Sequence, residues 1–399
     1  MARKSKKFCD DCGMPSTYHF QTWLDEFINH FSPHFKLPRK IEEFFDILLE
    51  KFFIFFRLVS LRDDFTNSDI QLRSTCFINE FKKRGGSVNV LLGPFGCTNN
   101  FQAEINGKVV RFEGLPVADF VSKYDTRLTD NKEKTKLHLK KGNFPITEGK
   151  SFWFWQKKKA IKFGEGELGF PLVVKPRSGS ISRHVTTNIQ DSEKLKIAID
   201  HAIIYSPAFM VERFIPHADV YRATVIDFDF VVCVKQAPAN VVGDGISTIR
   251  ELIEKKNSDS KRGNPRQKEY TLYKIVANET TTKLLNGKGY NFLSVPEKNE
   301  VVFLQQNPFL KLGGDLIEVT PQVHPDNLEL FRQVAKFFDI RVVGIDFLVP
   351  NISRSYKEQP CAILELNNMP CIELHLFPSS GKPQNVAKAV VDLFFKYYV

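Results

Sequence analysis

Three oxygen-bearing side chains lie close together near the end of the sequence. Asp346 belongs to the apolar run RVVGIDFLVP, and Glu365 and Asn367 belong to the run CAILELNN. The turn-rich segment between the runs predicts a β-hairpin with a long connection, and the spacing of Glu365 and Asn367 places both on one face of its second strand. Such oxygens suit Mg²⁺, which is usually held by one or two carboxylates together with substrate phosphates. For this stretch alone, an ordinary hairpin with a polar face toward water is the favoured alternative.

Lysines earlier in the chain lie where an anion is expected. Lys132, followed by Lys134 and Lys136, opens a predicted helix that ends at Gly142, and the dipole of a helix N-terminus helps a lysine to hold phosphate. Lys175 ends the apolar strand PLVVKP, where an unpaired ammonium group would be costly. Taken alone, a solvated basic helix is the better interpretation of the first segment, and a plain hairpin is the alternative for the second.

The segments after this strand carry groups suited to a nucleotide. Ser178, Gly179 and Ser180 offer N–H and hydroxyl groups that can cover phosphates. In the predicted strand AFMVERFIP, Glu212 can accept a hydrogen bond from an adenine amino group, and the backbone that follows can pair with the adenine edge. The backbone groups in question are those of Arg213, Phe214 and Ile215.

Two charged residues follow in the segment HADVYR. The carboxylate of Asp219 suits ribose hydroxyls, and the guanidinium of Arg222 suits phosphate. The runs RATVIDF and FVVCVKQAP predict the next two strands, and the loop that turns at Asp244-Gly245 leads into a predicted helix.

The composition restricts the class of protein. The 399 residues suffice for two or three packed subdomains, and Lys and Arg outnumber Asp and Glu by 56 to 46, a net charge of +10. This balance fits an anionic partner, but no arginine-rich tract or aromatic–basic repeat singles out nucleic acid, so none is expected. Seven scattered cysteines indicate a reducing compartment. No apolar run is long enough for a transmembrane segment or secretory signal, so we expect a cytoplasmic protein.

Cys9 and Cys12 form a single CxxC motif, and His19 lies nearby in the sequence. A structural zinc site needs four ligands, usually from two such pairs. Because no second pair is evident, two incidental thiols are favoured over a metal site.

The N-terminal third predicts helices followed by a small α/β domain. Residues from about 17 to 61 predict helices, and the Phe-rich stretch IEEFFDILLEKFFIFFRLV is expected to be buried against the body. A membrane-surface or partner-binding helix over Ile41–Leu61 is the alternative. IQLRSTCFINEFKKRGG then predicts a helix, SVNVLLG a strand, and Asn106-Gly107 between alternating runs a β-hairpin.

An ordered series of motifs carries a family resemblance. In chain order they are NKEKTK, PLVVKP, VERFIP, PANVVGDGISTIRELI, GGDLIEVTPQVHPDN, VVGIDF, ILELNNMP and HLFPSSGKPQNVA. Over about residues 131–393 the chain resembles the ATP-grasp superfamily. More narrowly, it resembles the ATP-grasp domains of cyanophycin synthetase and of the bifunctional glutathione-synthesising enzyme. PANVVGDG together with VTPQVHPDN favours that subgroup over D-alanine ligases.

The resemblance implies an α+β fold of the ATP-grasp type, in which two α+β subdomains sandwich ATP. The first subdomain is expected in residues 129–210, and the second, with the Mg/ATP site, in residues 211–399. A helical N-terminal extension in residues 1–67 and a small α/β domain in residues 68–128 are expected to precede them. Neither a Mur-ligase-like C-terminal domain nor a glutamate–cysteine ligase module is expected in this chain.

The resemblance also implies carboxylate–amine ligation. ATP would phosphorylate a carboxylate, and the amine of an amino acid or peptide would attack the acyl phosphate. Arg222 and Lys311 are the catalytic candidates, and Ser178, Gly179 and Ser180 would cover the phosphates. Lys132 and Lys175 would contact the ATP phosphates, and Asp219 would contact the ribose. Glu212 and the backbone of Arg213, Phe214 and Ile215 would contact adenine. Asp346, Glu365 and Asn367 would hold Mg²⁺, with Mn²⁺ as a substitute.

The sequence departs from the family pattern at three places. Ser182 and His184 replace two glycines of the loop; Phe309, Lys311 and Leu312 replace the usual Asn-x-Ser-Thr before Gly313-Gly314; and Glu373 stands where relatives often carry Arg. The second departure removes a phosphate or acyl-phosphate contact, although Lys311 restores a cation. The third suggests a different acceptor, one with a positive group.

Two rival functions stay open alongside the ligase. The altered Gly-Gly segment motivates a non-catalytic ATP-binding protein with a regulatory or scaffold role. The Phe-rich helix motivates a role in a complex or at a membrane. The sequence does not choose between a monomer and a homo-oligomer.

Overall fold

The fold is taken from a computed structural model, which describes residue 9 and residues 16–31, 39–94, 96–123, 129, 132–177 and 184–399. By its internal contacts the chain divides into two compact units. Unit 1 comprises the described residues within 1–35, 127–219 and 346–366, and unit 2 comprises those within 36–126, 220–345 and 367–399.

Helices and strands occur in similar measure through the described residues, as expected for the α+β class. The α-helices are α1 Ser16–Phe31, α2 Arg39–Phe55, α3 Leu72–Lys82, α4 Lys132–Lys141, α5 Lys157–Phe163, α6 Ser192–Tyr205, α7 Ile249–Asn257, α8 Glu279–Gly287, α9 Pro325–Phe337, α10 Glu373–Leu376 and α11 Val386–Tyr397. The β-strands are β1 Ser60–Arg62, β2 Ser87–Gly93, β3 Gly96–Ile105, β4 Lys108–Glu113, β5 Gly149–Trp153, β6 Leu172–Pro176, β7 Thr186–Ile189, β8 Ala208–Arg213, β9 Asp219–Ile226, β10 Phe230–Ala237, β11 Asn240–Val242, β12 Arg262–Gly263, β13 Leu272–Tyr273, β14 Val301–Phe303, β15 Asp315–Glu318, β16 Val342–Val349 and β17 Ala362–Asn367.

Unit 1 is built on a four-stranded antiparallel sheet with the strand order β5-β8-β6-β7. One face of this sheet is covered by α6, because Leu195, Ile199 and Ala202 recur at helical spacing and are all buried. They pack with Val174 of β6 and Phe209 of β8 in one apolar core. The sheet therefore has a rigid central pair, β6 and β8, on which polar side chains can be positioned.

Unit 2 contains the four-stranded antiparallel sheet β1-β2-β3-β4. The hairpin predicted at Asn106-Gly107 is confirmed, since both residues have positive φ angles of 51° and 74° and join β3 to β4. That backbone matches the twist of a two-residue hairpin turn. Phe77 of α3 and Phe394 of α11 lie in the core beneath this sheet, with ring centroids 5.8 Å apart.

A five-stranded sheet has the order β15-β10-β9-β16-β17. The last two strands are neighbours, and the connection between them is a long loop, as the sequence predicts for Arg341–Asn367. The division between the two units falls within β16 and near the end of β17.

The expectation that the Phe-rich helix is buried is wrong for α2. Phe52, Phe55 and Leu48 are among its large apolar side chains that are exposed, Phe55 by 79%. The helix instead turns a polar residue toward the sheet, because Glu50 accepts hydrogen bonds from Gln102 and Arg111. Apolar residues on most faces of a helix do not tell which face packs against the rest of the protein. Among the described helices, apolar stretches are too short or too interrupted by charge to span a bilayer.

Candidate nucleotide and metal site

Three lysines and two carboxylates of unit 1 form what we call the lysine–carboxylate cluster: Lys132, Lys136, Lys175, Glu212 and Glu365. Lys175 Nζ lies 2.9 Å from Glu212 Oε2, and Lys136 Nζ lies 2.8 Å from Glu212 Oε1. Lys132 Nζ lies 3.6 Å from Glu365 Oε2. The Glu212 side chain is 3% exposed and each lysine at most 15%. Because three ammonium groups face two carboxylates, a further anion would stabilise the cluster.

The local geometry of two elements creates this cluster. On β6 and β8, Val173 is directly opposite Glu212, so Lys175, two residues further on, is the diagonal neighbour of Glu212 on the same face. Long side chains bridge such a diagonal. On α4, Lys132 and Lys136 are four residues apart and therefore share one helix face.

Burial and charge oppose each other within the cluster. Burial disfavours the ionised form of Glu212, but the charges and hydrogen bonds of Lys175 and Lys136 outweigh it and lower the pKa of Glu212 to about 2. Burial lowers the pKa of Lys132, against the attraction of Glu365, and it lowers the pKa of Lys136, against Glu212. The charged form of each lysine is thus stabilised by a carboxylate, and Glu212 pairs with two of the three lysines.

Lys136, which the sequence places in a basic helix without a site role, belongs to the lysine–carboxylate cluster. It donates to Glu212 and also to Thr147 Oγ1 at 3.0 Å. The signal was present in the sequence, because a lysine four residues after Lys132 lies on the same helix face. What was missing was any indication that this face turns inward.

The backbone after β8 is partly engaged within unit 1. The N–H of Arg213 donates to the Glu148 carbonyl at 2.9 Å, and the N–H of Phe214 donates to the Pro171 carbonyl at 3.0 Å. The Arg213 side chain pairs with Glu148 at the surface. Two of the N–H groups of this segment thus already have backbone partners, and its pairing with an adenine edge stays a prediction.

Asp346 and Glu365 lie on the neighbouring strands β16 and β17, and both are half-buried. Asn367 ends β17 and is also half-buried. The donor set is entirely oxygen and each side chain keeps some exposure, which fits a hard divalent cation. Lys132 beside Glu365 shows that this carboxylate already faces one cation.

Arg222 of β9 lies against a glycine of β16 in unit 2. A Cβ placed on Gly344 would lie 3.2 Å from Arg222 Nη1 and 3.3 Å from its Cδ. The glycine of the VVGIDF motif therefore makes room for the arginine side chain beside the sheet.

Lys311 is half-buried in a short 3₁₀ segment, Leu310–Leu312, with its ammonium 6.0 Å from the Tyr273 ring centroid. The next residue but one, Gly313, has φ 98° and leaves no room for a Cβ against Ile275. Buried Arg262 donates to the carbonyls of Gly313 and Tyr273 and pairs with Asp315. Arg262 was not singled out from the sequence, where nothing distinguishes SDSKRGN from a charged loop.

The remaining predicted residues are placed as follows. Asp219 is the first residue of β9 and is half-buried. Ser178, Gly179 and Ser180 lie outside the described residues, so the phosphate-covering role of that loop stays a prediction.

Comparison with known proteins agrees with the motif resemblance. The chain is 36% identical over 270 residues to cyanophycin synthetase from Synechocystis sp., an alignment that covers 67% of this chain and 30% of the relative. It is 29% identical over 334 residues to the glutathione biosynthesis bifunctional protein of Clostridium perfringens, covering 82% and 41% of the two chains. The chain thus spans less than half the length of these curated relatives. No family model matches the chain.

A solved structure shares the fold. The bifunctional glutathione synthetase from Pasteurella multocida aligns with a TM-score of 0.61 at 22% identity, over 82% of this chain and 44% of the other. With the sheets and helices described above, this similarity defines an α+β protein with the ATP-grasp fold. The resemblance found in the motifs is confirmed: the chain is similar to one segment of cyanophycin synthetase and of the bifunctional glutathione-synthesising proteins.

Proposed function

We propose that this chain is an ATP-dependent carboxylate–amine ligase that forms an amide or peptide bond through an acyl phosphate. The observation that carries the proposal is the lysine–carboxylate cluster, in which three largely buried ammonium groups face two carboxylates. Such an excess of fixed positive charge in a partly dry setting is suited to a polyphosphate and to the charge that develops on a transferred phosphoryl group.

In this proposal Lys132 and Lys175 hold ATP phosphates, and Lys136 acts with them. Lys175 would exchange part of its contact with Glu212 for a phosphate oxygen, while Lys136 keeps Glu212 ionised. Glu212 and the backbone of Arg213–Ile215 would contact adenine, and Asp219 the ribose. Asp346, Glu365 and Asn367 would hold a divalent cation, Mg²⁺ with Mn²⁺ as a substitute, which would neutralise phosphate charge.

The proposed chemistry has two steps. A carboxylate oxygen of the donor attacks the γ-phosphorus of ATP, so that a P–O bond forms and ADP leaves. The acceptor amine then attacks the acyl carbon, loses a proton, and expels inorganic phosphate. Arg222 and Lys311 are the proposed catalytic cations, stabilising the negative charge on the acyl phosphate and on the departing phosphate.

The similar segments of cyanophycin synthetase and of the glutathione-synthesising proteins support an amino acid or peptide as substrate. The same proposal includes a cytoplasmic location and a homo-oligomeric assembly. The test is a screen of amino acids and dipeptides for ADP release, with mass spectrometry of the products. ADP formed only with a matching acid and amine, together with a product of the condensed mass, is the expected result.

The alternative is an ATP-binding protein without turnover, and the replacement of Asn-x-Ser-Thr by Phe309, Lys311 and Leu312 motivates it. ATP binding measured by calorimetry, without ADP release for any acid and amine, would favour this alternative. No ATP binding at all would contradict both functions.

Asp346→Asn and Glu365→Gln test the proposed metal carboxylates. Each change removes a negative charge while keeping the shape, so ADP formation should fall by at least about 100-fold. The unfolding midpoint in urea should fall only modestly, because both side chains are partly exposed, and it should fall more for Glu365→Gln, which also removes the carboxylate facing Lys132. The matched control is Glu358→Gln, an exposed carboxylate in the loop between β16 and β17. Turnover at the wild-type rate in both site variants would rule out these residues as metal ligands.

A further inference from the structure

Cys9, His19 and His184 come together in unit 1 although 175 residues separate the first from the last. One ligand atom of each lies within 4.8 Å of the others. His19 and His184 are 7% and 3% exposed, and Cys9 is half-buried. None of the three has a role in the proposed nucleotide site.

The elements that carry these residues are fixed in unit 1. His19 lies on α1, which is anchored where Trp23 Nε1 donates to the Ile203 carbonyl at 2.8 Å and where Arg177 donates to Glu26 at 2.7 Å. His184 lies two residues before β7, with a positive φ of 51°. His184 is thus buried although its backbone lies in the left-handed region, which few residues other than glycine adopt.

The hydrogen bonds of His184 fix which ring nitrogen carries the proton. Nδ1 lies 3.1 Å from the His201 carbonyl, and because a carbonyl can only accept, Nδ1 must be the donor. In the neutral ring, Nε2 then carries the lone pair, and it lies 3.5 Å from Cys9 Sγ. A histidine that binds a metal through one nitrogen and donates to a carbonyl through the other has this arrangement.

The geometry points to a zinc site with three protein ligands, Cys9 Sγ, a ring nitrogen of His19 and His184 Nε2, in which a solvent molecule completes the tetrahedron. Tetrahedral Zn²⁺ with the usual Zn–S and Zn–N bonds separates sulfur from nitrogen by about 3.6 Å, which is close to the distance between Cys9 and His184. One thiolate and two imidazoles are a borderline-soft set that suits zinc rather than magnesium. Cys12 has the CxxC spacing but lies outside the described residues, and the three-ligand site does not depend on it.

Zinc at this position would tie Cys9, which precedes α1 in the sequence, to His184, which precedes β7. The competing explanation is a thiol–imidazole hydrogen bond beside a T-shaped pair of rings, His19 and His184, whose centroids are 5.1 Å apart. Metal content separates the two explanations.

The first test measures zinc in the full chain, purified without a metal-binding tag and under reducing conditions. We expect about one zinc per chain in the wild type. Loss of a residue that only supports a metal ligand typically weakens binding by roughly 10- to 100-fold. Cys9→Ser and His184→Ala each remove a ligand, so their zinc affinity should fall by more than this. The matched controls are Cys97→Ser and the exposed His217→Asn, which should keep the zinc content of the wild type.

The second test separates coordination from misfolding. The wild-type chain, stripped of metal and loaded with Co²⁺, should show a thiolate-to-cobalt absorption band that Cys9→Ser lacks. His184→Cys supplies a second thiolate, so it should retain metal and strengthen the band. A wild-type chain that contains no zinc and takes up no Co²⁺ while showing native circular dichroism would overturn the site, as would a Cys9→Ser chain with unchanged zinc content.

Discussion

Glu212 on β8 and Glu373 at the start of α10 are both carboxyl groups removed from bulk water, but their surroundings differ. Glu212 lies within 2.9 Å of two lysine ammonium groups, which lower its pKa to about 2. No ion pair joins Glu373 to a cation among the described residues, and its buried Oε2 has no hydrogen-bond partner there. Burial therefore raises the pKa of Glu373, although Arg73 and Arg222 act in the opposite direction.

In these two carboxyl groups, the lowered pKa goes with direct contact to a cation, and the raised pKa goes with cations that lie nearby without such contact. Arg73 is close enough to act on Glu373, but its Nη1 donates to the Met369 carbonyl at 2.6 Å. In unit 1, by contrast, the ammonium groups of Lys136 and Lys175 reach the Glu212 carboxylate itself. We therefore expect Glu212 to be a fixed anion and Glu373 a group that readily takes a proton.

Lys175→Met should have the largest effect, because it removes one of the two cations that hold Glu212 ionised and a proposed phosphate contact. The apolar stem is kept and the charge is lost. ADP formation in the assay described above should fall by about 100-fold or more. Lys150→Met is the matched control, since Lys150 lies on β5 of the same sheet but pairs with Glu167 at the surface. Equal losses in the two variants would contradict a special role for Lys175.

Glu212→Gln should destabilise the protein strongly. It leaves Lys136 and Lys175 without their carboxylate, and the fall in the pKa of Glu212 from 4.5 to about 2 corresponds to roughly 3 kcal/mol of folding free energy. Urea unfolding at neutral pH measures this loss. Glu148→Gln removes the same charge from an exposed pair with Arg213 and should change stability by less than about 1 kcal/mol. A loss no larger at Glu212 would show that the cluster adds no net stability.

The same carboxylate should give stability a defined pH dependence. Since the pKa of Glu212 is lower in the folded than in the unfolded chain, its contribution is complete above about pH 4.5 and is lost as the pH falls toward 2. The stability difference between wild type and Glu212→Gln should therefore shrink between pH 5 and about pH 3. A difference that stays constant over this range, measured by urea unfolding, would contradict the ionised state of Glu212.

Much of this fold could be predicted because its signals are local. Turn residues and periodicity predict three of its features. These are the hairpin at Asn106-Gly107, the helix beginning at Lys132, and the neighbouring strands that carry Asp346 and Glu365. The motif series led to the ATP-grasp fold because it integrates many such local signals in a fixed order.

The features that could not be predicted depend on contacts between distant residues. Periodicity showed that α2 is apolar, but not that Glu50 would be the residue facing β3 and β4. Nothing local to SDSKRGN indicates that Arg262 is buried on the Gly313 carbonyl. Likewise, Cys9 meets His184, 175 residues away, and no local pattern of the sequence links these two residues.

Glu373→Gln should have the smallest effect and the opposite sign to Glu212→Gln. The pKa of Glu373 is raised on folding, so its contribution to stability is present at low pH and is lost as the pH rises through the folded-state pKa. A neutral amide of the same shape removes that loss, so the variant should be as stable as the wild type at neutral pH or more stable by about 1 kcal/mol. Its advantage should vanish below about pH 4, where Glu373 is protonated in both states. Glu329→Gln, an exposed carboxylate on α9, is the control that should show no such trend. Destabilisation of Glu373→Gln at neutral pH would mean that Glu373 is an ionised partner of Arg73 or Arg222, and the contrast with Glu212 would fail.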